Sequence, residues 1–149
     1  MIQVECSLQV QPVKTGLIER AARSALPAQF ARADLTIVLT DDACLHELNR
    51  AYLGIDETTD VLSFPSNEED PQTGVRYLGD ILISIPQAER QAREAGHPLE
   101  SEIQLLVVHG VLHLLGYDHA EPGEKSKMWR AQADILKSLG LGKIQVREE

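Results

Sequence analysis

Three of the five histidines in this chain of 149 residues fall within one stretch, His109-Gly110-Val111-Leu112-His113-Leu114-Leu115-Gly116-Tyr117-Asp118-His119. Residues four apart on a helix project from one face, so His109 and His113 would stand one turn apart on the same side. Gly116 carries no Cβ and can enter the left-handed region, which ends the helix and swings the chain out of it. His119 can then return toward the first two rings. Three converging imidazoles leave a fourth tetrahedral position for water, the arrangement of a catalytic zinc site. A structural zinc site would fill all four positions with protein ligands, and Cys6 and Cys44 are badly spaced for that.

Any one of these histidines alone reads as an ordinary core or surface residue. Two imidazoles on an otherwise apolar helix are different, because each needs a polar partner or its burial costs roughly 1–3 kcal/mol. A shared metal, one zinc per chain, meets that need for all three. The same spacing, with a glycine at the seventh position after the first histidine, occurs in the metzincin proteases, which place a glutamate general base directly after that histidine. Here that position is Gly110. The metal frame is shared and the peptidase base is missing.

The elements that must position these residues can be read from periodicity. Ile2, Val4, Cys6, Leu8 and Val10 alternate as in a half-buried strand. Leu17, Ile18, Ala21, Ala22 and Ala25 recur at helical spacing within Lys14 to Leu26, and Pro27 follows. Asp34 to Thr40 reads as a strand, and Asp41 or Thr40 can cap a helix running to about Tyr52. A loop over Gly54 to Thr59 leads to a short strand, Val61 to Phe64, stopped by Pro65. A polar surface loop covers residues 66–76, and Asn67 to Gly74 is the one internal stretch whose composition suggests disorder. Tyr77 to Ile85 is a strand interrupted early by Gly79 and Asp80. Helices follow over 87–95, Leu99 to Leu115, and Pro122 to Leu139, with Gly96, Gly116 and Gly140 as stops. The helix at Leu99 is apolar on almost every face over Ile103 to Val108 and should be central and buried. The order β-α-β-α-β-β-α-α-α without strict alternation predicts an α+β fold, a small mixed β-sheet packed by helices, whose central buried helix carries two metal-binding histidines. The length fits a single domain over 1–149, with a charged tail at 143–149 expected to be flexible.

Composition bounds the function further. Apolar residues make up 43% and charged residues 25%, ordinary for a soluble globular protein. No basic segment followed by an apolar one opens the chain, and the longest apolar run, Leu105 to Val108, is far too short to span a bilayer. A cytoplasmic protein with no membrane partner and reduced cysteines is the expectation. The net charge is −9, and residues 41–102 hold fourteen acids against four bases. That balance argues against broad, non-specific adhesion to nucleic acid; a polyanion would have to approach local bases such as Arg20, Arg23, Lys125 and Lys127.

Two further blocks carry polar residues at strand ends: Leu48 to Phe64, which includes Thr59-Asp60-Val61-Leu62-Ser63-Phe64, and Leu78 to Ser84, which opens Leu78-Gly79-Asp80. Asp56 and Thr59 read as turn caps, whereas Asp60, Ser63 and Asp80 are candidates for the wall of a substrate cleft. His46 and His97 read as ordinary exposed histidines.

Together with His109-Gly-x-Leu-His113-Leu-Leu-Gly116-Tyr-Asp-His119, these blocks resemble the YbeY family of bacterial endoribonucleases over roughly residues 48–119. The resemblance implies an α+β fold with zinc on His109, His113 and His119. It implies a single-strand-specific endoribonuclease acting on ribosomal RNA, including the 3′ end of 16S rRNA, and in ribosome quality control. Its partners would be single-stranded RNA and the small ribosomal subunit with its factors. Two positions depart from the family pattern. Leu53 stands where the family often carries an arginine facing the site, and Thr58 replaces a frequent proline. Phosphate contact would then come from elsewhere, with Arg50 and Arg76 as candidates.

The chemistry expected of such a site is metal-assisted phosphodiester cleavage. Zinc can lower the pKa of water from about 15.7 to about 7, so that hydroxide attacks phosphorus or takes the proton of the RNA 2′-hydroxyl. Asp118, adjacent to His119, is the candidate general base; the alternative reading is a turn-forming carboxylate or one that orients a ligand. Two other functions remain open. One is a metal-dependent hydrolase of another substrate, such as a peptide. The other is a ribosome-assembly factor in which zinc mainly stabilises the fold.

Overall fold

A computed structural model of the chain describes residues 1–117 and 121–144. Its elements are β1 (Ile2–Cys6), α1 (Thr15–Ala25), β2 (Asp34–Thr40), α2 (Asp42–Leu48), β3 (Val61–Pro65), β4 (Tyr77–Ser84), α3 (Ile85–Ala95), α4 (Leu99–Leu114) and α5 (Pro122–Ser138). The expected α+β class and element order are both present. The four strands form one mixed sheet in the order β1-β2-β4-β3, with β1, β2 and β4 parallel and β3 antiparallel to β4. Leu35, Ile37 and Leu39 of β2 and Ile81 and Ile83 of β4 supply one buried face. Helix α4 lies against β3 and β4 on that side, and α1, α3 and α5 pack around it.

The buried position of α4 follows from its sequence. Its residues from Glu102 to Leu112 are all buried, which a helix apolar all round requires. Gly110 makes the close approach to the sheet feasible. A Cβ there would sit 2.7 Å from Cγ2 of Ile81, inside van der Waals contact. Any side chain at 110 would push α4 off β4, so the position that could have held a peptidase glutamate is a packing contact.

Caps and stops agree with the residue chemistry. Asp41 accepts from the Cys44 amide at 2.9 Å and caps α2, and Ser84 accepts from the Gln87 amide at 3.3 Å and caps α3. Gly116 has φ +100°, and the Tyr117 amide reaches back to the Leu112 carbonyl at 3.0 Å, closing α4 with the expected left-handed stop.

Four expectations are corrected. Strand β1 ends at Cys6, whose partner in β2 is Leu39; beyond it the Ser7 amide makes one more bond, to the Leu39 carbonyl at 3.0 Å, and Val10 is exposed. Helix α2 ends at Leu48, and Asn49–Leu53 continue it as a wider π-helical turn, a feature frequent at functional sites. Strand β4 runs unbroken through Gly79 and Asp80, with a register shift against β2 at that end. Asn67 to Gly74 belongs to an ordered hairpin extension, in which the Asp70 amide meets the Val75 carbonyl at 2.9 Å and Glu69 bridges to Arg76. Of the charged tail, Lys143 and Ile144 are described, and Ile144 packs against the core; residues 145–149 lie outside the described residues. Cys6 and Cys44 are free thiols, and among the described residues no helix is long and apolar enough to cross a membrane.

Candidate metal centre and substrate groove

Helix α4 presents His109 and His113 on one face, as their spacing requires. Their Nε2 atoms meet at 3.0 Å, with the rings edge-on at 68°. His109 is 5% exposed, whereas His113 is half-buried and opens toward the surface. His119 and Asp118 lie outside the described residues, so the third ligand and the candidate base have no stated position. Among the described residues no group of three metal-ligating side chains occurs.

Gln132 of α5, 1% exposed, was not singled out by the sequence. Its Oε1 stands 3.4 Å from Nδ1 of His109, while its Nε2 has no hydrogen-bond partner among the described residues. A carbonyl oxygen only accepts, so it selects the His109 tautomer protonated at Nδ1. That leaves the Nε2 lone pair of His109 directed at His113. An imidazole held from behind with its Nε2 facing a second imidazole is a donor set that fits a zinc ion. The only signal in the sequence was a polar residue on the otherwise apolar face of α5, where Met128 and Leu136 are also buried.

A groove of about 540 Å³ opens in front of the two histidines, within the range of small-ligand sites. It is lined by Asn49, Leu53, Ile55, residues of the chain from Glu57 to Ser63, Pro65, His109 and His113; Asp60 is not among the lining residues. The π-helical turn supplies Asn49 and Leu53. Buried Asn49 donates from Nδ2 to the Glu57 carbonyl at 2.9 Å and so ties down the loop after the turn. Its structural role was not read from the sequence.

The structure separates the five cleft candidates. Ser63 lines the groove, and its hydroxyl donates to the Gly110 carbonyl at 3.1 Å, clipping β3 to α4. Asp60 is 5% exposed just before β3; its Oδ1 accepts from the Thr59 hydroxyl at 3.3 Å, and Oδ2 has no partner among the described residues. Asp80 falls on the sheet face away from α4, because it alternates with Ile81, which faces that helix. There it accepts from the Tyr77 hydroxyl, which in turn accepts from Thr36 at 2.8 Å. Burial first, and then the bond to Asp80, raise the pKa of Tyr77. Asp80 therefore braces the sheet and does not wall the groove. Arg50 is exposed and paired with Glu47, one helical turn before it. Arg76 lies at the hairpin base with its guanidinium 6.0 Å from the centre of the Phe30 ring. Neither arginine lines the groove.

His46 is exposed and bonded to Asp56 at 2.7 Å, as an ordinary surface histidine would be. His97 is the exception to that reading. It is largely covered and meets the fully buried carboxylate of Glu102 at 2.7 Å, since a carboxylate buried in the first turn of α4 needs a hydrogen-bond donor.

Known proteins bear on the site at this point. A family model described as endoribonuclease YbeY matches residues 4–140. Relatives named endoribonuclease YbeY include one from Pelotomaculum thermopropionicum, 47% identical, with 89% of this chain and 90% of the relative covered. Another, from Shouchella clausii, is 45% identical over 93% of this chain and 91% of its own. A solution structure of a Thermotoga maritima protein shares the fold with a TM-score of 0.59 at 24% identity, over 99% of this chain and 97% of that one. A family match along nearly the whole chain, with the histidine pair, the π-helical turn and β3 meeting at one groove inside it, places this protein in the endoribonuclease YbeY family.

Proposed function

We propose that this chain is a zinc-dependent, single-strand-specific endoribonuclease that acts in ribosomal RNA processing, including 3′-end maturation of 16S rRNA, and in ribosome quality control in the cytoplasm. Membership of a family named for endoribonuclease activity assigns it to the hydrolases of RNA phosphodiester bonds. The observation that carries the reading is the pair of imidazole Nε2 atoms 3.0 Å apart, on two histidines that line an open groove.

His109, His113 and His119 would hold one zinc ion, which supplies Lewis-acid stabilisation of phosphoryl charge and water of lowered pKa. The protein's own residues do the rest. Gln132 holds the His109 ring in the tautomer that presents Nε2. Ser63 fixes β3 to α4, so that the groove wall and the histidines form one rigid unit. Asn49 holds the loop that carries Thr58 and Thr59. Asp118 is the candidate to accept a proton from the nucleophile.

The test is a substrate panel with the zinc-loaded full-length protein: single-stranded RNA, the same RNA as a duplex, the matching DNA and an unstructured peptide. Cleavage of single-stranded RNA alone is expected. A 2′,3′-cyclic phosphate on the product would assign the nucleophile to the 2′-hydroxyl, and a plain terminal phosphate would assign it to water. Peptide cleavage without RNA cleavage would overturn the proposal. Asp118→Asn should slow cleavage while zinc remains bound.

A second reading, a ribosome-assembly factor whose zinc is structural, is favoured by one observation: no lysine or arginine lines the groove among the described residues. If it holds, a folded variant without zinc will still complement a deletion strain.

A further inference from the structure

In an antiparallel pair, alternate residues direct both N–H and C=O at the partner strand, and those between direct both groups away. Strand β3 is paired on one side only: it is the edge of the sheet, and among the described residues no strand lies beyond it. The Ser84 amide bonds the Asp60 carbonyl at 2.9 Å, and the Ser66 amide bonds the Leu78 carbonyl at 2.8 Å. Those bonds fix the parity. Asp60, Leu62, Phe64 and Ser66 face β4, while Val61, Ser63 and Pro65 turn their backbone groups to the free edge. Val61, Ser63 and Pro65 also line the groove beside His109 and His113. Leu53, 57% exposed, and Ile55, 47% exposed, line the same groove. The groove is thus lined both by backbone donors and acceptors with no strand partner among the described residues and by exposed aliphatic surface.

We infer that this free edge is a nucleobase subsite: the N–H and C=O of Val61 and Ser63 bond the Watson–Crick edge of an unpaired base, while Leu53 and Ile55 cover its face. The inference rests on the proposed ribonuclease reading and names the part of the RNA that the groove recognises. Each edge residue offers one donor beside one acceptor. Every RNA base carries a donor beside an acceptor on its Watson–Crick edge, so the strip suits all four without strong preference. A base already in a duplex has that edge occupied and is refused. Single-stranded RNA is recognised through such exposed edges and base faces. The groove supplies no lining cation for a phosphate among the described residues, so base contacts must carry much of the affinity there. An extended peptide is the other occupant that a strand edge can take. It is disfavoured here, because only Val61 and Ser63 offer both groups before Pro65, which has no N–H.

The experiment measures binding to chelator-stripped full-length protein, so that no cleavage intervenes. The probes are a short oligouridylate, the same oligomer N-methylated on the Watson–Crick edge of each base, an abasic oligomer of equal length, and an extended peptide. Wild type should bind the unmodified oligomer about ten-fold more tightly than the methylated or abasic one, the size expected for one or two hydrogen bonds. Val61→Pro deletes an N–H that faces away from β4, a substitution an edge strand tolerates, at the cost of some packing of the half-buried Val61 side chain. It should lose about ten-fold for oligouridylate and no longer distinguish the methylated probe, whereas Val61→Thr, which keeps the N–H, should bind as wild type. If Val61→Pro fails to fold, the methylated probe on wild type decides alone. Equal affinity for the unmodified, methylated and abasic oligomers would overturn the subsite, as would preferential binding of the peptide. Cleavage of RNA by the zinc-loaded protein together with equal binding of the unmodified, methylated and abasic oligomers sinks this inference and leaves the ribonuclease reading standing; no cleavage at all sinks that reading instead.

Discussion

At the scale of single residues, the centre depends on two side chains doing different jobs. His109 is a buried imidazole whose orientation is set from behind by Gln132, while His113 faces the groove. Replacing Gln132 with leucine leaves the Nδ1 proton of His109 without its acceptor and frees the ring to present the wrong nitrogen. Zinc affinity should fall about 10- to 100-fold, the usual effect of removing a partner that orients a ligand. Gln132→Glu keeps an acceptor oxygen at the same reach and should restore most of the loss. Chelator competition measures the affinity, and imidazole nitrogen NMR of the metal-free protein reports the tautomer directly. A leucine variant with unchanged tautomer and affinity would show Gln132 to be mere packing. The histidines were legible in the sequence because their chemistry is periodic: ring type, a four-residue interval and a glycine. Gln132 was not, because its partner is 23 residues away across a helix pair, and nothing local marks a buried amide. Asp80 misled for the complementary reason. Position along a strand indicates alternation, but which face holds the histidines depends on where α4 packs.

At the scale of elements, two junctions set the geometry. The first is the contact of α4 with β4 through Gly110. An alanine there gains helix propensity worth about 1 kcal/mol at most, yet forces its Cβ against Ile81, an overpacking that costs about 1–3 kcal/mol. Gly110→Ala should therefore lower the thermal midpoint by a few degrees, and Gly110→Glu should unfold the protein and create no peptidase. A stabilised alanine variant would mean that α4 can retreat without penalty. The second junction joins α2 to the start of α3. Burial opposes ionisation of Asp42, but the hydroxyl of Ser84 at 2.7 Å and the guanidinium of Arg90 at 2.7 Å outweigh it and hold the carboxyl below its usual value of 3.8. A carboxyl depressed on folding contributes stability above its unfolded pKa and loses it as pH falls through the folded one. The contribution is small at this partly exposed pair, and it should begin to fall as pH drops toward 3.8 and be gone below the lowered folded pKa. Arg90→Gln should lower stability slightly at neutral pH, leave it unchanged at the acid end, and so flatten the acid limb of the stability profile. Helix and strand order was readable from periodicity and caps. The early end of β1 was not, because strand length is set by the partner: alternation continues to Val10, but pairing stops at Leu39. The π-helical turn at Asn49–Leu53 was equally hidden, since its residues suit an α-helix.

At the scale of the whole molecule, a net charge of −9 and a groove with no lining cation among the described residues argue that RNA is not held mainly through its phosphates. For single strands the slope of log affinity against log salt is about −0.7 per phosphate neutralised, so one or two contacts predict a slope shallower than about −1.5. A slope several times steeper would place the RNA on a basic surface elsewhere and move the substrate path away from β3. The proposed function turns on the zinc ion that His109, His113 and His119 would hold. The most direct measurement is zinc content determined in parallel with single-stranded RNA cleavage, for the purified wild type and for His109→Ala, His113→Ala and His119→Ala, each checked for a folded core. One zinc per chain in the wild type, with zinc and cleavage lost together in every variant, is the predicted result. Undiminished cleavage by a folded, metal-free His113→Ala protein would contradict it.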